Sequence, residues 1–402
     1  MSETASAFPA FPMARTDPLH PPPQYADLRA ESPVTRVRLP TGIAAWVVAG
    51  YEQVRELLVD PRLSIRRDNP GFPMFAPVPD VVADLSPSLI GLDAPEHTHL
   101  RRRVISEFTV KRIRQMQPRI QRLVDAHVDA MLSGERPVDL VQGLALPVPS
   151  LVICELLGVP YDDHDFFQEK SSAFLTVDDA SPQDKWAAVL DLAAYMDRLV
   201  ERAAADPGDD MLGRFIARCR EEDDFDPRVA ADLGRLLLIA GHETTANMIS
   251  LGVVALLENP DQLDALRADA SLWPQAVEEL LRYFTIADYI VSRTALADVE
   301  IGGQTIRKGE GVMLLTAAAN RDPSAFEGPD ALDVRRRARN HVAFGYGIHQ
   351  CLGQNLARLE LEIVYDTLFT RIPGLRLAEP SQSLPYKHQS LVYGLHRLPV
   401  TW

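Results

Sequence analysis

One cysteine stands inside a frame of three glycines, in the segment Phe344-Gly345-Tyr346-Gly347-Ile348-His349-Gln350-Cys351-Leu352-Gly353. The glycines permit tight turns and the close approach of a flat ligand. Beyond the cysteine, Leu352, Leu356, Leu359, Ile363 and Leu368 recur at helical spacing, which predicts that Cys351 sits at a helix N-terminus. There, unpaired N–H groups and the positive end of the helix dipole favour thiolate, the form that ligates iron. A lone cysteine is commonly a small buried apolar residue. The glycine frame argues for a ligand instead. A zinc site built from His341, His349 and Cys351 lacks a fourth nearby ligand.

Three further groupings carry chemistry. Ala240-Gly241-His242-Glu243-Thr244-Thr245 places polar residues inside the apolar run Leu236 to Leu257. A helix from about Ala230 to Leu257 puts Ala240 and Thr244 on one face, and Gly241 is expected to loosen the turn where Thr244 would otherwise bond back to a carbonyl. Glu279 and Arg282 face each other at i,i+3 in a helix that Pro274 can begin, a spacing common on exposed helices. His97 and Arg101, at i,i+4 at the start of another helix, present two donors suited to a carboxylate, whereas Arg102 and Arg103 read as a solvated face.

The elements that must position these residues are mostly helical. From His97 to about Arg371 the helical period dominates, interrupted by a β-type section, Val299 to Leu315, with a two-residue hairpin at Gly302-Gly303. Short β-type runs at Thr35–Leu39 and Ala44–Val48, a helix Tyr51–Asp60, and short strands near Leu375–Leu377 and Ser390–Val400 complete the expectation. Neither a repeat nor a linker divides the chain, which reads as a proline-rich arm, 1–24, and a single domain, 25–402. A proline-studded apolar loop runs through Pro70 to Leu92 and reads as a surface cover or a substrate lid.

Composition narrows the class. The 402 residues carry 41 basic and 56 acidic side chains, a net charge of −15 that makes the chain a poor candidate for wrapping nucleic acid or lying on anionic lipid and leaves small apolar ligands and local basic patches open. Three well-separated cysteines provide no disulfide framework and suit a reducing cytoplasm, and no apolar run has the length of a membrane anchor.

Phe344, Gly347, Cys351 and Gly353 fill every specified position of FxxGxxxCxG, and the chain thereby resembles the cytochrome P450 superfamily, with motifs in family order from about Tyr25 to Trp402. The resemblance is to soluble bacterial members that oxidise macrolides, terpenoids and foreign compounds. It implies a mainly α fold with a small β-rich region, a triangular single domain holding haem b between the long central helix and the cysteine loop. Cys351 would be the axial iron ligand, with Phe344, Gly345 and Gly353 about it and Ala240 and Gly241 leaving room beside the haem. His97, Arg101, Arg293 and His349 match propionate-binding positions, and Glu243 with Thr244 matches the acid and alcohol pair that delivers protons. Glu279, Arg282 and Arg335 match a buried structural triad. The implied reaction is haem-thiolate monooxygenation of a lipophilic molecule by O2 and two electrons, reaching a monomeric enzyme from NAD(P)H through a ferredoxin reductase and a small ferredoxin. Arg101 to Arg103, Arg335 to Arg337 and Arg339 would form the docking patch. The expected pocket walls are the Pro70–Leu92 loop, Phe174–Trp186, the Ala240–Thr244 groove and Ile286–Val291. A peroxide-driven enzyme of the same fold and a non-catalytic haem sensor or carrier are the competing readings.

Overall fold

A computed structural model describes residues 8–75, 89–163, 166, 169–170, 182–288, 290–388 and 402 down to 390. Its axis is the central helix Pro227–Glu258. Asp226 caps it, accepting from the Arg228 N–H at 2.8 Å, and Pro227 opens the first turn, so the helix begins earlier than the apolar period suggests. Its 32 residues run about 48 Å. It packs against the helices Pro147–Leu157, Pro182–Ala205 and Gln354–Arg371, and almost all of its second half is buried. Helix Trp273–Phe284 starts on Pro274, as its sequence predicts, and ends at Thr285, whose φ of 44° is held by its hydroxyl bonds to Leu281 and Arg282 carbonyls.

The β structure is small and lies mostly beside the helices. Strands β1 (Val34–Arg38), β2 (Ala44–Val48) and β3 (Leu63–Ser64) join later strands β5 (Ser292–Ala295) and β8 (Gly311–Leu314) in the order β1-β2-β8-β5-β3. Only β2 and β8 run parallel in this sheet, and β5 pairs with β8 so that Arg293 lies opposite Val312. A second sheet has the order β4 (Val138–Asp139), β10 (Pro399–Thr401), β9 (Arg376–Leu377). Strands β6 (Val299–Ile301) and β7 (Gln304–Ile306) form the expected hairpin; Gly302 and Gly303 both have positive φ, as a tight two-residue turn demands.

Two expectations change. Ser390–Val400 is not a continuous strand: apart from β10 it holds one bridge, Tyr386 to Leu395, and the backbone donors of Lys387, His388 and His396 are spent within the loop. The proline-rich start is strapped down where it is described. Phe11 and Arg38 exchange backbone bonds through Pro9, and Phe11 is buried with Tyr25 over β1, β2 and β8, a burial worth about 2–3 kcal/mol. Much of the Pro70–Leu92 loop and of Phe174–Trp186 lies outside the described residues. Among the described residues no helix is long and apolar enough to cross a membrane.

Candidate cofactor site and its supports

Cys351 closes its own loop: its N–H donates to the Phe344 carbonyl at 2.8 Å, and Gly345 and Gly347, with φ of 71° and 79°, turn the chain between them. A Cβ on Gly347 would collide with Val59, so the turn also needs glycine for space. The sulfur accepts backbone N–H groups from Gly353 and Gln354 at the start of helix Gln354–Arg371. The protein packed around the accessible sulfur pushes the thiol upward, while these bonds and the charges of Arg101 and Arg358 favour the thiolate. A metal cation at the sulfur would lower it. Cys351 is accessible, whereas Cys154 and Cys219 are buried.

Beside this loop lies a cluster of donors. The His97 and His349 rings are 4.1 Å apart between centroids, and Arg101 donates from Nη2 to the Gln350 carbonyl at 2.5 Å. Arg293, 4% exposed in β5, donates among the described residues only to its neighbour's carbonyl, Ser292 O. His97 is buried and its Nδ1 has no partner. Burial lowers both imidazoles, His349 to about 3, with neighbouring positive groups adding to the effect, and burial lowers Arg293 to about 10. The site at neutral pH thus holds two cations and two uncharged rings. The acting carboxylate, Asp93, is engaged by the Ser64 hydroxyl and the Ile65 N–H. Among the described residues none of the four donors bonds a carboxylate, an arrangement that costs stability unless an anion completes it. A flat iron macrocycle with two carboxylate arms fits these donors and the Cys351 sulfur beside them.

On the central helix, Ala240 is exposed and Gly241 and Thr244 half-buried, in mid-span of an otherwise buried segment. Thr244 does bond back: its Oγ1 donates to the Ala240 carbonyl at 2.7 Å, so Gly241 does not free it. Gly241 has a different use, since a Cβ there would press on the Ile153 side chain. Glu243 is buried and ion-paired with Lys387, which also donates to Asn247 Oδ1 at 3.1 Å.

Behind the cysteine loop, Glu279 and Arg282 are fully buried and bidentate, at 2.7 and 2.8 Å. Arg282 also donates to the Asn320 and Pro329 carbonyls. The third member is Arg336, whose Nε reaches Glu279 Oε1 at 3.1 Å, and not Arg335, which is exposed. The cause is a turn closed by Arg336 N–H on Asp333 O, which swings Arg336 back toward the helix. Asn320 continues the support, accepting from the Val342 N–H at 2.8 Å just before the loop.

A second buried acid, Glu278, was not singled out by spacing. Burial would raise it, yet bonds from His341 and Arg358 hold it down at about 2. Arg358 in turn stacks on Phe344 at 4.6 Å, fixing the ring beside the cysteine loop. Its signal was the Glu278-Glu279 doublet, both members of which lie inside. His341 is thus turned to a carboxylate and not to a zinc site. Lys387, 144 residues from Glu243, had no local signal.

The cytochrome P450 family profile matches residues 24–372. A vitamin D3 dihydroxylase of Streptomyces griseolus is 49% identical over 98% of this chain and 97% of its own length. Cytochrome P450 MoxA of Nonomuraea recticatena is 53% identical and superposes with a TM-score of 0.91 over 98% of both chains. The mycinamicin VIII C21 methyl hydroxylase MycCI of Micromonospora griseorubida, solved with mycinamicin VIII bound, is 41% identical with a TM-score of 0.92, over 98% of this chain and 100% of that one. With fold and sequence agreeing along nearly the whole length, the chain belongs to the cytochrome P450 family of haem monooxygenases.

Proposed function

We propose that the protein is a haem-thiolate monooxygenase of lipophilic small molecules, with Cys351 as the axial ligand of haem b and His97, Arg101, Arg293 and His349 as holders of its propionates. The observation that carries this is the donor cluster against the cysteine loop with no carboxylate bonded to it. Haem, when bound, supplies the activation of O2 by two electrons, one oxygen atom entering a C–H bond and the other leaving as water. The chain does the rest. Phe344, clamped by Arg358, shields the sulfur side, and the Ala240 side chain is small enough to leave room on the helix face. With its proton on the Ala240 carbonyl, Thr244 Oγ1 retains acceptor capacity and can hold a proton-bearing group, while Glu243 supplies the titratable carboxylate next to it. Thr244→Ala is expected to divert reducing equivalents to peroxide; unchanged coupling would remove the alcohol from the relay.

Relatives that hydroxylate vitamin D3 or mycinamicin VIII support a bulky, mainly apolar substrate from secondary metabolism or a foreign source. Electrons come from NAD(P)H through a ferredoxin reductase and a ferredoxin. The basic patch for that partner is narrower than the sequence suggests. Arg101 is turned to Gln350, Arg103 pairs with Glu222 and Asp224, and Arg336 pairs with Glu279. Arg102, Arg335, Arg337 and Arg339 remain exposed for an acidic carrier. Converting Arg102 and Arg337 to Gln should slow reduction by ferredoxin and flatten its salt dependence; unaltered salt dependence would discard the patch.

The deciding experiment is the absorption spectrum of the reduced, carbon monoxide-treated protein. A strongly red-shifted Soret band, lost in Cys351→Ser, is the expected result. A haem band without that shift would favour a sensor or carrier.

A further inference from the structure

The N-terminal arm crosses the molecule to grip two loops that lie beside the central helix. One is the stretch after helix Trp273–Phe284 that contains Ile286, Asp288 and Ile290, the expected substrate wall. The other is the C-terminal loop bridged at Tyr386 and Leu395, so close to the central helix that a Cβ on Gly394 would collide with the Asn247 side chain. The two loops are tied to each other, since the Tyr393 N–H donates to the Ile286 carbonyl at 3.0 Å. Each presents one large apolar side chain that stays accessible, Ile290 at 41% and Leu391 at 39%. Leu391 does so although Ser390 before it and Val392 to Leu395 after it are buried, as expected of a side chain on the wall of an apolar concavity. The arm holds both loops from outside. Arg15 lies over the Tyr393 ring at 4.1 Å and donates to the His20 carbonyl at 2.6 Å, while the Tyr393 hydroxyl donates to the Pro18 carbonyl at 2.8 Å. At the end of the arm Tyr25, 1% exposed, donates its hydroxyl to Asp288 Oδ2 at 2.7 Å, and the Ala317 N–H takes Oδ1 at 2.9 Å.

We propose that the arm sets the substrate wall: Tyr25 by way of Asp288, and Arg15 by way of Tyr393, are positioning residues that keep Ile290 and Leu391 in place for a bulky apolar ligand. The inference rests on the reading of this cavity as a monooxygenase pocket. Because Tyr393 joins the two loops through Ile286, they are held as one unit, and the arm is the outer side of that unit. With the grip released, the loops gain freedom that a ligand resting on them must remove when it binds. A small ligand that reaches the cofactor without touching them is indifferent to the change. Tyr25→Phe takes away only a hydroxyl and Arg15→Met only a cation, so neither leaves a large void.

The test titrates full-length, haem-loaded wild type, Tyr25→Phe, Arg15→Met, Arg15→Lys and Tyr25→Phe/Arg15→Met with two azoles that bind haem iron through nitrogen, following the Soret shift. Imidazole is the small probe and clotrimazole the bulky apolar one. The clotrimazole Kd is expected to rise about threefold in Tyr25→Phe and in Arg15→Met and about tenfold in the double variant, the size of one or two lost polar contacts. Imidazole should stay within about twofold throughout, having no wall to order. Arg15→Lys, which keeps a cation for the Tyr393 ring, should return clotrimazole binding toward wild type. Amide exchange of the 286–288 and 390–395 segments, read by mass spectrometry without any ligand, should quicken about tenfold in the double variant. Equal weakening of both azoles overturns the proposal, because the arm would then support the fold as a whole. Faster exchange with clotrimazole affinity unchanged also overturns it, since the loops would be held but would not meet the ligand. Unchanged exchange shows that the arm does not hold them. If neither azole shifts the wild-type band, the pocket reading itself fails, whatever the arm does.

Discussion

Arg293 shows at the level of one residue how a binding site can be recognised by what it costs. Its guanidinium is buried in β5 and, among the described residues, answered only by a backbone carbonyl, and burial lowers it to about 10. A buried cation without an anion destabilises a fold, whereas an anionic ligand turns the same group into a strong charge-assisted contact. Arg293→Met should therefore act with opposite signs on the two states. Haem-free protein is expected to gain about 1–3 kcal/mol by denaturant unfolding. Haem-loaded protein should lose haem to a high-affinity acceptor at least about tenfold faster, the equivalent of one charge-assisted hydrogen bond. Equal and same-signed effects on both states would show that Arg293 serves the sheet and not the cofactor.

The loop and helix elements around Cys351 are held by two buried carboxylates side by side, each with two basic partners. Glu279 is shared by Arg282 and Arg336, and Glu278 by Arg358 and His341. The choice of Arg336 over Arg335 gives a direct comparison. Arg336→Ala is expected to cost about 2 kcal/mol or more, since it strips a charged hydrogen bond from a buried acid. Arg335→Ala should stay within about 0.5 kcal/mol, as exposed substitutions do. Thermal unfolding of the two variants checks both numbers, and a larger loss in Arg335→Ala would return the sequence assignment. At Gly347 the positive φ and the contact with Val59 make the loop intolerant of a side chain. Gly347→Ala should cost about 1–3 kcal/mol and broaden the haem spectrum through a displaced sulfur.

Over the whole molecule, acid stability should report the Glu278 network. Its carboxyl sits at about 2 against an ordinary 4.5, so the folded state binds its proton less readily than the unfolded chain. The stabilisation, about 3 kcal/mol from that difference, is present above pH 4.5 and is lost as the pH falls toward 2. Glu278→Gln should make unfolding free energy flatter across that window in urea titrations; an unchanged slope would mean that His341 and Arg358 do not hold the charge. The same scale bears on the basic patch proposed for the carrier protein. The arginines on its surface are unevenly spent: some pair with acids of the fold, while Arg102, Arg335, Arg337 and Arg339 are exposed.

The cysteine loop, the hairpin at Gly302-Gly303, the body of the central helix and the Glu279–Arg282 pair were legible because each is written in a short contiguous stretch, whereas the helix start at Asp226 was not. Turn chemistry, helical period and i,i+3 facing depend on neighbours along the chain. The resemblance extended that legibility to Arg293 and His349, and the structure shows those residues gathered with His97 and Arg101. What folding alone decided concerns buried charge. Which arginine reaches Glu279 and which ammonium holds Glu243 depend on groups brought together across as many as 144 residues. In a low-dielectric interior the desolvation of a charge must be offset by whatever partner the packing delivers, and no spacing rule names that partner.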